Sequence, residues 1–314
     1  MTEKKEWDEF NEPWNEPEKK PEEKPEEPVK PQLHQSDMDT LSKCGVRYEF
    51  RRLKGIISPP GVALLVGTAV HKAAQADLRM KLESKFQDLM PIDDMQDLAA
   101  ETLKKRWESE GCVLQDEEKL VGEKETRNQA INKAVRLAGV YHEDLAPHIM
   151  PTHVERKWVI ELKGYPMDLS GQMDVQEVDS IRDLKTGSKA PIKTMADNSQ
   201  QLTVYALAAQ IIDGHMPERL LLDHCIQTPK KKKAYVATQQ TFRTQADIQM
   251  LLNRLQCYIT NIQKGAFIPA NTSDWWCSPK WCGYHSICPY AKRPVSVPSA
   301  GIPNKQPHQP FKGL

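Results

Sequence analysis

The chain has 314 residues, 27% of them charged and 39% hydrophobic, an ordinary make-up for a globular protein with room for a sizeable core. Lys and Arg total 43, as do Asp and Glu, so net charge carries no nucleic-acid signature. The longest apolar run, residues 61–70, is too short to span a bilayer, which excludes a membrane-spanning class.

Residues 1–34 hold eleven acidic residues against six Lys, leaving the remainder positive by five. A basic body with an acidic tail is compatible with a nucleic-acid partner. This first segment repeats Pro, Glu and Lys and has few large apolar side chains, so it is expected to be a disordered tail. Trp7, Phe10 and Trp14 within it are a candidate docking motif for a protein partner. Residues 1–11 are charged and contain no apolar stretch, so no export signal is expected. Seven cysteines without such a signal point to thiols, metal ligands or catalytic groups in a reducing cytoplasm, the host's for a viral protein.

Helices are expected at 37–53, capped by Ser36 or Asp37, and at 67–85, where Val70, Ala73, Ala74 and Leu78 recur at helical spacing. Residues 94–107 and 117–145 continue an α-rich insertion, about 90–145. The period then changes. Residues 153–162, 167–178 and 180–185 read as an antiparallel meander with turns at Lys163-Gly164 and Asp179-Ser180. A helix at 199–212, strands at 220–228 and 234–242, and an amphipathic helix at 245–264 follow. Pro, Ser, Gly and Gln at 294–314 suggest a second flexible tail. Strands bracketed by helices in this order indicate an α/β domain over 35–293. There is no GxxxxGK[ST] loop, so an NTP-driven motor is not expected.

The meander carries Gly171-Gln172-Met173-Asp174 and then Asp183-Leu184-Lys185. Adjacent strands bring Asp174 and Asp183 together, and Asp183 and Lys185, two apart, share one face. Two carboxylates suit a hard divalent cation that keeps open positions for phosphate oxygens, and a nearby ammonium balances charge in a transition state. Taken alone, D-x-K on a strand is commonly a solvated salt bridge.

With its companions the segment resembles the PD-(D/E)xK core in the form found in RecB-type nucleases. Gly67-Thr68-Ala69-Val70-His71 matches a Gly-x-x-x-His helix before the hairpin, and Gln201-Leu202-Thr203-Val204-Tyr205 a Gln-x-x-x-Tyr helix after it. The resemblance implies a restriction-endonuclease-like α/β fold. It also implies that His71, Asp174, Asp183 and the Leu184 carbonyl bind Mg²⁺ or Mn²⁺, that Lys185 is the catalytic lysine, and that Gln201 and Tyr205 orient DNA or the lysine. Read without it, His71 is a capped or partly buried helix residue, Gln201 and Tyr205 an ordinary i,i+4 pair, and Glu155 a supporting acid or a surface charge.

Cys277-x4-Cys282-x5-Cys288 lies among Trp275, Trp276, Trp281 and Tyr284, and three ligands are one short of a zinc or iron–sulfur site. Cys44 is the candidate fourth. Cys112, Cys225 and Cys257 read as buried thiols. One upstream and three C-terminal cysteines resemble the iron–sulfur subgroup of RecB-type nucleases, which includes AddB-type and CRISPR-associated exonucleases. That implies a [4Fe–4S] cluster in the 275–290 segment. The subgroup often has two residues between its second and third cysteines where this chain has four, and His285 is an alternative ligand for Zn²⁺. Either metal would close a loop of more than two hundred residues. Residues Lys230 to Lys233 offer phosphate contacts or a solvated hairpin tip, and the tryptophans either stack bases or cover the cluster.

The expected function is metal-dependent hydrolysis of DNA, from ends and on single strands by family analogy, in recombination, repair or replication. Two alternatives of other classes are a non-catalytic nucleic-acid-binding or assembly protein that keeps the nuclease fold, and a zinc-binding adaptor, which leaves the acidic hairpin unexplained.

Overall fold

The structure is a computed structural model and describes residues 30–228 and 233–291. The expected docking motif, the lysines at 230–232 and the C-terminal tail lie outside those residues. Strand β1 (Gln32–His34) leads into helices α1 (Gln35–Lys43) and α2 (Gly45–Tyr48), the latter running on as a π-helical turn over Glu49–Leu53. Helices α3 (Val62–Glu83), α4 (Ile92–Glu110), α5 (Asp116–Val121) and α6 (Glu123–Asp144) follow. Then come β2 (His153–Ile160), β3 (Asp168–Gln176), β4 (Ser180–Gly187), α7 (Gln200–Ile212), β5 (Arg219–Ile226), β6 (Tyr235–Thr241) and α8 (Gln245–Gln263). No described helix is long and apolar enough to cross a membrane.

The strands form one mixed six-stranded sheet in the order β1-β3-β4-β5-β6, with β2 also on β3. One face packs on α7 and α8 through Leu169, Met173, Ile181, Leu220 and Leu222. The other packs on α3, α4 and α6 through Val175, Leu184 and Cys225. With both faces covered, the interior strand β5, between β4 and β6, is buried along nearly its whole length, as its apolar run requires.

Several sequence expectations change. Residues 32–34, read as tail, pair in parallel with Asp168–Ser170, and Leu33 is fully buried between the sheet and α7. Three residues with one apolar side chain show no period, so this strand is dictated by the sheet rather than by its own pattern. The first long helix is divided at Cys44, which is extended, and its cap is His34 paired with Asp37 in a capping box. The helix expected over 117–145 breaks at Gly122, whose φ of 91° only glycine adopts readily. Cys225 is buried as expected, but Cys112 is half-buried in a connection and Cys257 is exposed on α8.

Candidate active site

The site grows out of an interruption in the sheet. β2 occupies one edge of β3 along its length, so β1 and β4 must share the other edge. On that edge β1 pairs with Asp168–Ser170 and β4 with Val175 and Gln176. Gly171, Gln172, Met173 and Asp174 between them have no strand partner there. Beyond Arg182 the two strands fork, and the Asp174 carboxylate takes over the broken ladder, its Oδ2 accepting from the Leu184 amide at 2.9 Å. The motif Gly-x-x-Asp is the chain lining this opening.

A second irregularity lies on the other side of Asp174. The register places Glu155 of β2 opposite it, yet that pair is missing from an otherwise continuous ladder, and Glu155 has φ of 56°. Side chains change face at this point. Val154 and Val175 pack toward α3 and α6, whereas Trp158 and Met173, an even number of residues away, pack toward α7. Strict alternation would put each pair on one face. Through this twist Asp174 meets His71 of α3, whose Nδ1 is 3.4 Å from Asp174 Oδ2. Gly67 lets α3 come close: a methyl group there would stand 3.3 Å from Thr186 Oγ1 on β4.

On β4, Asp183 is buried and Lys185 is 2.5 Å from its Oδ2. Lys185 also donates to Gln201 Oε1 at 2.9 Å. Gln201 Nε2 then donates to the Tyr205 hydroxyl at 2.7 Å, and Gln35 Nε2 donates to the same oxygen at 3.1 Å. With two donors pointing at it, the hydroxyl can place its own proton only on Asp183 Oδ1, 3.3 Å away. One closed chain therefore runs from Lys185 through Gln201 and Tyr205 to Asp183. Ser199, capping α7, and the buried guanidinium of Arg243, which donates to Thr203 and to the Ala196 and Ser199 carbonyls, hold the helix that carries it.

The electrostatics follow from this crowding. Burial, then the Asp183 charge, raises Asp174 above the ordinary carboxylate range, against His71, Lys185 and the Leu184 amide. Burial, then Asp174, pushes Glu155 up to about 7. Burial pulls Lys185 down, but Asp183 and Asp174 outweigh it and hold the ammonium above its usual value. Lys185 is thus a cation at neutral pH, with two of its three protons committed.

His71, Asp174, Asp183, Lys185, Gln201 and Tyr205 are all drawn into this one region, and Leu184 sits between its two charged neighbours with its amide bound to Asp174. Two participants have no motif. Gln35 reaches the site from α1, donating also to the Gln172 carbonyl at 3.3 Å, and stands at the first residue of the expected domain, just past the tail. Glu155 lies in a strand whose Val154, Trp158 and Ile160 look like one regular face, so nothing in the pattern signals the twist.

Oxygen donors and one imidazole are the ligand chemistry of Mg²⁺ and Mn²⁺. Among the described residues, His71, Glu155 and Asp174 form the compact set able to hold a metal ion. The Cys44, Cys282 and Cys288 side chains pack against Val46, Phe50 and Tyr284 in a small separate core. Burial raises the Cys277 thiol, followed by the charges of Cys282, Cys44 and Cys288, so all four thiols lie in electrostatic reach of one another. No three of the described cysteines place their sulfurs within 4.8 Å. Trp275 and Trp281 meet edge to face and are 64% and 47% exposed, so they do not form a buried cover.

The sequence matches the profile of the PD-(D/E)XK nuclease superfamily over residues 32–289. The chain belongs to that superfamily, which places it among nucleases, phosphodiester hydrolases that act on DNA with Mg²⁺ or Mn²⁺. No curated protein matches the chain. The solved crystal structure of SSO0001 is 12% identical over 85% of this chain and 90% of that one, with a TM-score of 0.36.

Proposed function

We propose that this protein is a deoxyribonuclease that degrades single-stranded DNA from its ends, with Asp174, Asp183 and His71 as metal ligands. The observation that carries this reading is the meeting of a buried carboxylate (Asp183), a half-buried one (Asp174), an imidazole and a fixed ammonium at the fork between β3 and β4. The bound metal would supply Lewis acidity and a water of lowered pKa. Lys185, kept charged and aimed by Asp183 and Gln201, has one N–H left for the attacking water or a phosphate oxygen. Tyr205 and Gln35 fix Asp183 and the opening around Gln172, so the donors are in place before substrate arrives. Two exposed indoles, Trp275 and Trp281, suit stacking of unpaired bases and support a single-strand preference.

Cys44, Cys277, Cys282 and Cys288 hold a [4Fe–4S] cluster in this reading, which would set the protein in the iron–sulfur subgroup with AddB-type and CRISPR-associated exonucleases. The number and order of the four cysteines support this reading, and Cys44, Cys282 and Cys288 pack against the same small core. The cluster's role is structural, tying α1 and α2 to the C-terminal segment. The test is digestion of end-labelled linear and circular DNA, single- and double-stranded, by anaerobically purified protein with Mg²⁺, Mn²⁺ or EDTA. Loss of linear single strands only with metal, abolished in Asp183→Ala and Asp174→Ala, is expected. Cleavage that persists unchanged in Asp183→Ala refutes the assignment.

A further inference from the structure

The fork between β3 and β4 opens toward one edge of the sheet. Strands β4 and β5 run parallel, so their carboxyl ends share that edge, and β3 and β4 part beyond Arg182 in the same direction. Ligands of open α/β sheets enter at the carboxyl ends of the strands. Helix α3 follows the opening outward, with His71 beside Asp174 and Gly67 over Thr186. Helix α6, packed on α3, sets Lys133 at the rim, where its Nζ donates to the Ser188 hydroxyl oxygen at 2.6 Å, just past the end of β4.

Elsewhere in the fold, enclosed ammoniums are compensated. Lys185 is paired with Asp183, and Lys81 donates to the Ala146 and Pro147 carbonyls with the Asp77 charge nearby. Lys133 is half-buried on α6, and among the described residues no carboxylate pairs with it. Burial alone acts on its ammonium and pulls it below its usual value. A desolvated charge without a counter-charge costs free energy, and an arriving anion would offset that cost. Ser188 is exposed and takes one of the three N–H groups, which leaves the others for the oxygens of such an anion.

We propose that Lys133, aimed by Ser188, binds a backbone phosphate of the DNA strand beside the catalytic fork, so that the helical insertion forms part of the substrate path. Ser188 follows Lys185 by three residues, about 10 Å along the strand. At a rise of about 3.4 Å per nucleotide in a stacked strand, that phosphate lies within about three nucleotides of the bond that is cut. A contact of this kind positions the strand without reading its sequence. The proposal rests on the nuclease reading of the site.

The experiment has two arms, both on the full-length protein. In the first, binding of a labelled single-stranded oligonucleotide is measured in EDTA over a range of salt concentrations for the parent, Lys133→Met and Lys133→Arg. Methionine keeps an unbranched apolar stem and removes the charge. Lys133→Met should bind about tenfold more weakly at low salt, the scale of one charge-assisted hydrogen bond. Its log–log salt slope should be shallower by about 0.7, the share of one phosphate contact on a single strand. Its metal-free melting temperature should hold or rise, because a desolvated charge is gone, and Lys133→Arg should restore the slope. In the second arm, cleavage is followed with Mn²⁺ on oligonucleotides that each carry one methylphosphonate, which neutralises a single phosphate. The loss in Lys133→Met should fall on KM rather than kcat. One methylphosphonate within about three nucleotides of the cut should raise KM in the parent and leave Lys133→Met unaffected. An unchanged salt slope in Lys133→Met, with or without a lower melting temperature, overturns the proposal, as does an equal methylphosphonate penalty in variant and parent at every position. Normal cleavage with an unchanged slope sinks this inference and leaves the nuclease reading standing. A shallower slope in a protein that never cuts does the reverse.

Discussion

Replacing Gly171 by alanine perturbs the opening in the sheet without touching a charged group. A Cβ there would fall inside the contact distance of the buried Trp158 indole and 2.5 Å from Gln35 Oε1. Outside this setting the change would favour the strand, because alanine loses less backbone entropy than glycine, by about 0.5–1 kcal/mol. Here the indole has no free space, and overpacking costs about 1–3 kcal/mol. Pushing Gln35 aside also pulls its amide from Gln172 O and the Tyr205 hydroxyl, adding about 1–3 kcal/mol for donors left unpaired. The net is a loss of about 3 kcal/mol, equivalent to roughly 6–12 °C in Tm for a domain of this size. Urea unfolding should show a lower midpoint with an unchanged m value, since the surface exposed on unfolding is the same. Trimming the ring should relieve the clash, so Trp158→Leu placed on Gly171→Ala should cost less than the two changes summed, by at least about 1 kcal/mol. Gly171→Ala as stable as the parent, or strict additivity with Trp158→Leu, would refute the packing described.

Tyr205→Phe removes the acceptor of two amides and a donor to Asp183, so stability should fall by about 2 kcal/mol and cleavage by about 10- to 100-fold, with DNA affinity unchanged. Unchanged cleavage would show that Gln201 does not steer Lys185. Without divalent cations, Glu155 is raised from 4.5 to about 7 and Asp174 is raised too, so the folded state holds protons that the unfolded chain releases. The stability this gives is full below about pH 4.5 and is lost as pH rises through 7. Calorimetry should therefore show the metal-free protein melting lower at pH 8 than at pH 5.5, with a smaller fall in Glu155→Gln and recovery on adding Mn²⁺. An equal fall in the variant would contradict the assignment to Glu155. Cys44→Ser and Cys282→Ser should each lose visible absorption, iron and stability, whereas the exposed Cys257→Ser should change stability by less than about 0.5 kcal/mol. Full iron in Cys44→Ser would remove Cys44 from the ligand set.

What was legible in the sequence was whatever obeys a local rule. The order of helices and strands from α3 to α8 follows period and turn residues, and the spacing of Asp174, Asp183 and Lys185 already implied a shared corner of a sheet. Gln201 and Tyr205, one helical turn apart, could be seen as a pair but not as the relay between Lys185 and Asp183, because the relay depends on which oxygen accepts from which amide. β1 was hidden, since its pairing partner lies far along the chain. Glu155 could be seen only as a supporting acid or a surface charge: the even spacing of apolar residues in β2 is the same with or without a change of face, and only the backbone angle tells them apart. The nearness of Cys44 to Cys282 and Cys288 was suggested by cysteine number and by the family resemblance, and it comes with a contact no pattern encodes, the Gly45 amide donating to the Ile268 carbonyl at 2.7 Å.

Helix α1 has one end in each of these places. Gln35 begins it, bonded to a carbonyl 137 residues away, and Cys44 follows its last turn, its sulfur accepting from an amide 226 residues away. On a ribosome this helix is made early and its two docking partners much later, separated from it by on the order of ten seconds or more of synthesis at about 5–20 residues per second. Contacts at such sequence separation also form slowly in a finished chain. The end at Gln35 can therefore dock as soon as the segments of Gln172 and Tyr205 exist, whereas the end at Cys44 stays open until Ala270 has been made.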